Sequence, residues 1–140
     1  MKNHKIYFLF LFLLISSTFL GCLDDKEACI ELVKENLKAA EEENVDAYLK
    51  TIDPNSPSYA MTKSVMTNLF NMYDLEYKLI DVSVSEIDEQ SAKVRVVFTT
   101  RKIKGPQFNN NKVSAVHYLT KVNDEWKINS SVVNNIESIQ

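Results

Sequence analysis

The spacing of apolar side chains changes period once along this chain, at Leu75, and that change fixes the order of its elements. Before Leu75, apolar residues recur every three or four positions, as on one face of a helix. After it they alternate, as on one face of a strand. Helices first and strands afterwards indicate an α+β chain with an antiparallel sheet, not a wound parallel one.

The first helix is expected from Asp24 to about Glu43. Asp24 can cap it with Glu27 three residues on, and Cys29, Val33, Leu37 and Ala40 form its apolar stripe beside Leu32 and Asn36. The run Glu41-Glu42-Glu43 reads as a solvated helix end in preference to a cation site. Asn44 can cap a short second helix carrying Val45, Tyr48, Leu49 and Ile52. Asp53-Pro54-Asn55-Ser56-Pro57 then breaks the chain, and Ser56-Pro57 is the start signal of a third helix to about Tyr73. Val65, Met66, Leu69, Phe70 and Tyr73 form its stripe, read as core packing before lipid-pocket lining.

Four strands are expected at Leu75–Ile87, Ala92–Ile103, Val113–Val122 and Trp126–Val133. Val94, Val96 and Phe98 share one face of the second strand; Lys93, Arg95, Thr99 and Arg101 share the other, with Val97 an apolar exception. Gly105-Pro106 and Asn109-Asn110-Asn111 mark a wide loop. Asn123-Asp124 suits a two-residue hairpin, because both residues tolerate positive φ. Pairing Val122 with Glu125 then sets Lys121 opposite Trp126, Leu119 opposite Ile128 and His117 opposite Ser130. Cross-strand partners share a face, so His117 falls on the apolar side.

Ahead of the first helix, Lys2, His4 and Lys5 precede the apolar run Ile6–Ile15, then Ser16-Ser17-Thr18 and Phe19-Leu20-Gly21-Cys22. That is the layout of a cleaved secretory signal over residues 1–21. Ile6–Leu20 is shorter than the roughly 20 residues a membrane-spanning helix needs. The last four residues resemble the lipobox of bacterial lipoproteins, with Phe19 and Leu20 departing from the usual Leu and small residue. The resemblance implies diacylglyceryl attachment at Cys22, with palmitate-type chains, and cleavage before it. Two acyl chains hold a protein stably where one does not. Residues 22–23 would be the anchored start and 24–140 one domain, tethered to a membrane on its extracytoplasmic side with almost no linker.

Cutting there removes Lys2 and Lys5 from 16 basic residues, leaving 14 against 19 acidic ones, formally −5. Such a charge disfavours nucleic acid as a partner and leaves anchoring to the lipid. With Cys22 lipidated, Cys29 is a small buried hydrophobe; without lipid, a Cys22–Cys29 disulfide is the alternative. No metal or cofactor is expected from the cysteine and histidine spacing. Asn129-Ser130-Ser131 matches a glycosylation acceptor, a pattern common by chance.

Asn44–Ile52, Asp53–Pro57, Ala92–Thr100, Val113–Lys121 and the closing Val122–Ile128 resemble the nuclear transport factor 2-like (SnoaL-like) superfamily, above all its small lipoproteins. The resemblance implies a cystatin-like cone: three helices packed in the hollow of a curved four-stranded antiparallel sheet, leaving a pocket. In that superfamily the pocket serves catalysis in some members and binding in others.

The reading that follows is a lipid-anchored binding or assembly module of the cell envelope. Its pocket would be lined by Tyr48, Tyr73, Phe98, His117 and Trp126, for a small apolar ligand or an envelope protein. Arg95, Arg101, Lys102 and Lys104 offer a surface to an acidic partner, although such a stripe is ordinarily a solvated face. Sheet-mediated homodimerisation is a further expectation. The alternative is an isomerase- or cyclase-type enzyme with His117 or Asp46 as base and Tyr48 or Tyr73 as donor.

Overall fold

The computed structural model describes residues 24–140; Cys22 and the signal-like stretch before it lie outside the described residues. Three helices come first, α1 (Asp25–Glu41), α2 (Val45–Lys50) and α3 (Tyr59–Met72). Four strands follow, β1 (Asp74–Ile87), β2 (Ser91–Lys104), β3 (Asn111–Val122) and β4 (Glu125–Ser138). The strands pair in the order β1-β2-β3-β4, every neighbour antiparallel. The fold is therefore the expected α+β cone. No helix among the described residues is long and apolar enough to cross a membrane.

Helix α1 buries Cys29, Leu32, Val33, Asn36, Ala39 and Ala40 along one face, the spacing that its apolar stripe dictates. The expected capping box does not form: the Asp24 side chain makes no capping bond. The first turn instead carries Asp25 and Glu27, whose charges suit the positive end of the helix dipole. Helix α2 starts as expected, with Asn44 Oδ1 accepting from the Ala47 amide at 3.0 Å.

After α2 the chain docks on the sheet. Ile52 forms a parallel bridge with Ile128 instead of extending the helix. The Ile128 amide donates to Thr51 O at 2.8 Å, and the Asp53 amide to Ile128 O at 2.9 Å. Asp53, only 5% exposed, receives Asn55 N on Oδ1 at 2.8 Å and Asn129 Nδ2 on Oδ2 at 3.0 Å. The Ser56 hydroxyl lies 2.7 Å from Asn129 O, to which it donates. Ser56 is thereby committed to β4, and α3 begins three residues later, at Tyr59, without a side-chain cap. Asn129 is likewise engaged within the protein.

Strand β4 gains a bulge where this loop grips it. The register holds through Leu119↔Ile128 and then shifts, so His117 faces Ser131, not Ser130. The extra residue lies in β4, so alternation along β3 is unbroken and His117 keeps the inner face with Leu119. Register shifts at two further points of β1 and one of β4 are bulges of the kind that bend and twist a sheet. The β3–β4 turn has Asn123 at φ 51° and Asp124 at φ 63°, the positive angles a two-residue hairpin requires.

The core lies between α1 and the inner sheet face: Cys29 and Val33 pack with Val94, Val96, Ala115, Leu119, Trp126 and Ile128. Helix α3 departs from expectation. None of its residues is buried, and Met61 and Val65 on its surface are 71% and 54% exposed. The stripe is half-buried at Met66, Leu69 and Phe70. Strand β4 runs to Ser138, five residues past the expected Val133, and leaves Val133 and Ile136 exposed.

Candidate functional site

Between α1, α3 and the inner sheet face lies a cavity of about 210 Å³. Helix α1 supplies Val33, Asn36, Leu37 and Ala40; Tyr48 enters from α2, Met66 and Leu69 from α3. Tyr77 of β1, Val96 and Phe98 of β2 and His117 of β3 complete the wall. The sheet residues are there because Phe98 and Thr100 pair with Leu79 and Tyr77, and Val94 with His117, placing all of them on one face. A larger hollow of about 480 Å³, between the β1–β2 turn and β3, is a surface cleft rimmed by Glu86, Asp88 and Lys93.

Of the five expected pocket residues, Tyr48, Phe98 and His117 meet in this cavity. Tyr73 and Trp126 do not line it. Tyr73 ends α3 and packs on Phe108, ring centroids 5.7 Å apart. Trp126 is a core residue, 6% exposed, with its indole N–H directed to Asp25 Oδ1 at 3.1 Å. Asp46 sits exposed in the first turn of α2 and is no part of the cavity. Tyr77 and Asn36 are lining residues that the pocket reading missed. Tyr77 was within reach, since it alternates with Leu75 and Leu79 on the inner face of β1.

The cavity holds no carboxylate, lysine or arginine. Burial pushes the His117 ring down to about 4, so it is neutral at physiological pH. His117 Nδ1 lies 2.6 Å from Ser131 Oγ. Burial raises the Tyr77 hydroxyl to about 12, aided by the neighbouring Tyr48 and Glu43. Tyr48 is raised as well, by burial, with the Asn36 amide opposing. Asn36 Nδ2 also donates to Thr51 Oγ1 at 2.7 Å, and Thr51 Oγ1 donates to Tyr48 O at 2.6 Å, which fixes the polar wall. Tyr48 meets Phe70 edge-on and Tyr77 tilts against Phe98, at 6.3 and 6.2 Å between centroids. Among the described residues no group of three or more metal-ligating side chains gathers.

Of the basic residues expected to share a surface, Arg95 and Arg101 are exposed, but Lys102 pairs with Leu75 and is half-buried, donating from Nζ to Pro106 O at 2.8 Å. The four do not form one face.

Helices laid in the hollow of a bent antiparallel sheet over one inner cavity define the nuclear transport factor 2-like fold. Solved structures agree on the fold. An NTF2-like protein of Shewanella oneidensis superimposes with a TM-score of 0.60, at 13% identity over 76% of this chain and 95% of that one. A ketosteroid isomerase-like protein of Erwinia carotovora atroseptica gives 0.58, at 15% identity over 77% and 95%. Within that fold, the chain belongs to the family described as the C-terminal domain of the anti-sigma-I factor RsgI9, whose model matches residues 31–139. Anti-sigma-I factor RsgI9 of Acetivibrio thermocellus is 39% identical over 70 residues, half of this chain and 10% of that protein.

Proposed function

We propose that this chain is a lipid-anchored, extracytoplasmic binding module without catalytic activity, serving a regulatory role related to that of the C-terminal domain it resembles. The observation that carries the binding reading is the cavity itself: aromatic and lined by no carboxylate or lysine, with His117 as its one candidate base. A general base works best with a pKa near the operating pH. His117, held near 4 with Nδ1 engaged by Ser131, is poorly suited, and Asp46 is on the surface. A sigma factor acts inside the cell, so a domain tethered outside would serve that kind of regulation by receiving a signal, not by touching the sigma factor.

The anchor fits the chain's geometry. Only Leu23 and Asp24 separate Cys22 from α1, and Asp25 is bonded to Lys121 and Trp126. A lipid at Cys22 therefore turns the β3–β4 hairpin end toward the bilayer. The end bearing Tyr73 and the Gly105 loop faces away.

A second reading, a protein partner in the envelope or a second copy of the chain, is favoured by the exposed Met61 and Val65 on α3 and Val133 and Ile136 on β4. The binding reading is tested by incubating the full chain with a small-molecule extract of its envelope. Retention of a compound without loss of any other is the expected result. Disappearance of a compound with appearance of a product, abolished by His117→Gln, contradicts it.

A further inference from the structure

We infer that the inner cavity is a binding site for a neutral, single-ring aromatic molecule of the phenol class. Size comes first. A cavity of roughly 150 Å³ takes one benzene ring, so about 210 Å³ takes such a ring with one or two small substituents.

Charge comes second. A charged ligand buried here would meet no counter-ion, because no Asp, Glu, Lys or Arg reaches the wall. The neutral His117 adds none. The ligand is therefore uncharged. A sugar is excluded by the same economy of polar groups, since most of its hydroxyls would face Val33, Leu37, Val96 and Phe98.

The polar requirement comes third. Tyr77 and His117 both line the cavity; among the described residues the Tyr77 hydroxyl and His117 Nε2 make no protein hydrogen bond, and neither atom is cut off from solvent. Unpaired polar atoms in an apolar enclosure want a partner. A phenolic hydroxyl, donor and acceptor at once, answers both. Phe98 and Tyr48 supply flat faces for its ring.

Access is through α3. Tyr48 and Met66 line both the cavity and a groove of about 330 Å³ between α3 and β4. Met66, unbranched and half-buried, stands where the two meet and is flexible enough to move aside. The loosely packed α3 permits its displacement.

The inference rests on the binding reading above and not on the anchor. The test is a titration of the full chain in lipid nanodiscs, with protein-free nanodiscs as the blank, against three single-ring probes: 4-methylphenol, toluene and 4-methylbenzoate. Backbone and methyl NMR shifts report the location. Saturable binding of 4-methylphenol, perturbing Met66, Leu37 and His117, is expected, with toluene weaker and the charged benzoate weakest. Tyr77→Phe, which keeps the ring, should weaken 4-methylphenol about five- to tenfold and leave toluene unchanged. Ala40→Leu, filling the cavity, should abolish both while the spectrum stays folded. Absence of saturation in the wild type, equal binding of the benzoate, or shifts confined to the outer groove overturns the inference. Conversion of 4-methylphenol to another compound leaves the site standing and overturns the binding-only reading instead.

Discussion

Trp126 Nε1 donates to Asp25 Oδ1 at 3.1 Å, joining the first turn of α1 to the β3–β4 hairpin 101 residues away. Lys121 completes the contact, its Nζ 3.1 Å from Asp25 Oδ2 and 4.9 Å from the centre of the Trp126 ring. Bonds from Lys121 and then Trp126 hold the Asp25 carboxyl below its ordinary value of 3.8. A carboxylate depressed in the folded state stabilises above its unfolded pKa, and that contribution is lost as pH falls through the folded value. Wild type should therefore melt above Asp25→Asn at pH 7, and the gap should close below about pH 4. A gap independent of pH would show that the carboxylate charge contributes nothing.

His117 acts in another pH window. Its folded pKa of about 4 lies below the unfolded value of 6.5, so the unfolded chain binds more protons between the two. Stability should be fullest above pH 6.5 and fall as pH drops toward 4, by about 2–3 kcal/mol. Urea midpoints measured from pH 7.5 to 4.5 should slope downward in wild type. His117→Leu should flatten that slope.

Gly105 is held at φ 119°, and a Cβ added there would lie only 2.7 Å from Met72 O and from Tyr73 Cδ1. An alanine meets both backbone strain and a rigid neighbour. Gly105→Ala should cost about 2–3 kcal/mol in denaturant unfolding. The loss should loosen the end of α3 first, visible as faster amide exchange at Tyr73.

Asp53 ties the loop after α2 to the bulge of β4 through Asn129. Asp53→Ala leaves the Asn129 amide and the Asn55 N–H without their acceptors and should cost about 2 kcal/mol. The register shift beside Tyr118 should relax with it, seen as altered cross-strand contacts between His117 and Ser131. Unchanged contacts would mean that the bulge is intrinsic to β4.

These residues also show where sequence reasoning reached and stopped. Local chemistry was legible: Asn44 as a cap, Asn123-Asp124 as a turn, and the pairing of Leu119 with Ile128 that follows from that turn. The bulge was not, because the contacts that accompany it, from Ser56 and Asp53 to Asn129, come from more than 70 residues away. The same grip removed Ser56 from the cap of α3. Two pocket residues, Phe98 and His117, followed from strand face parity and Tyr48 from helical spacing, but parity cannot say where a helix leaves a face open. Trp126 shares the inner face and is covered by α1; His117 shares it and borders the cavity. Strand β4 beyond Val133 was invisible because Asn134-Asn135 interrupts the alternation there.

The lipid anchor at Cys22 is tested most directly by the intact mass and membrane partition of the native protein, beside Cys22→Ala. The expected wild type is membrane-bound, begins at Cys22 and is heavier than its polypeptide by acyl groups, while the variant lacks that added mass. A wild type that is soluble, unmodified or still begins at Met1 would contradict the anchor.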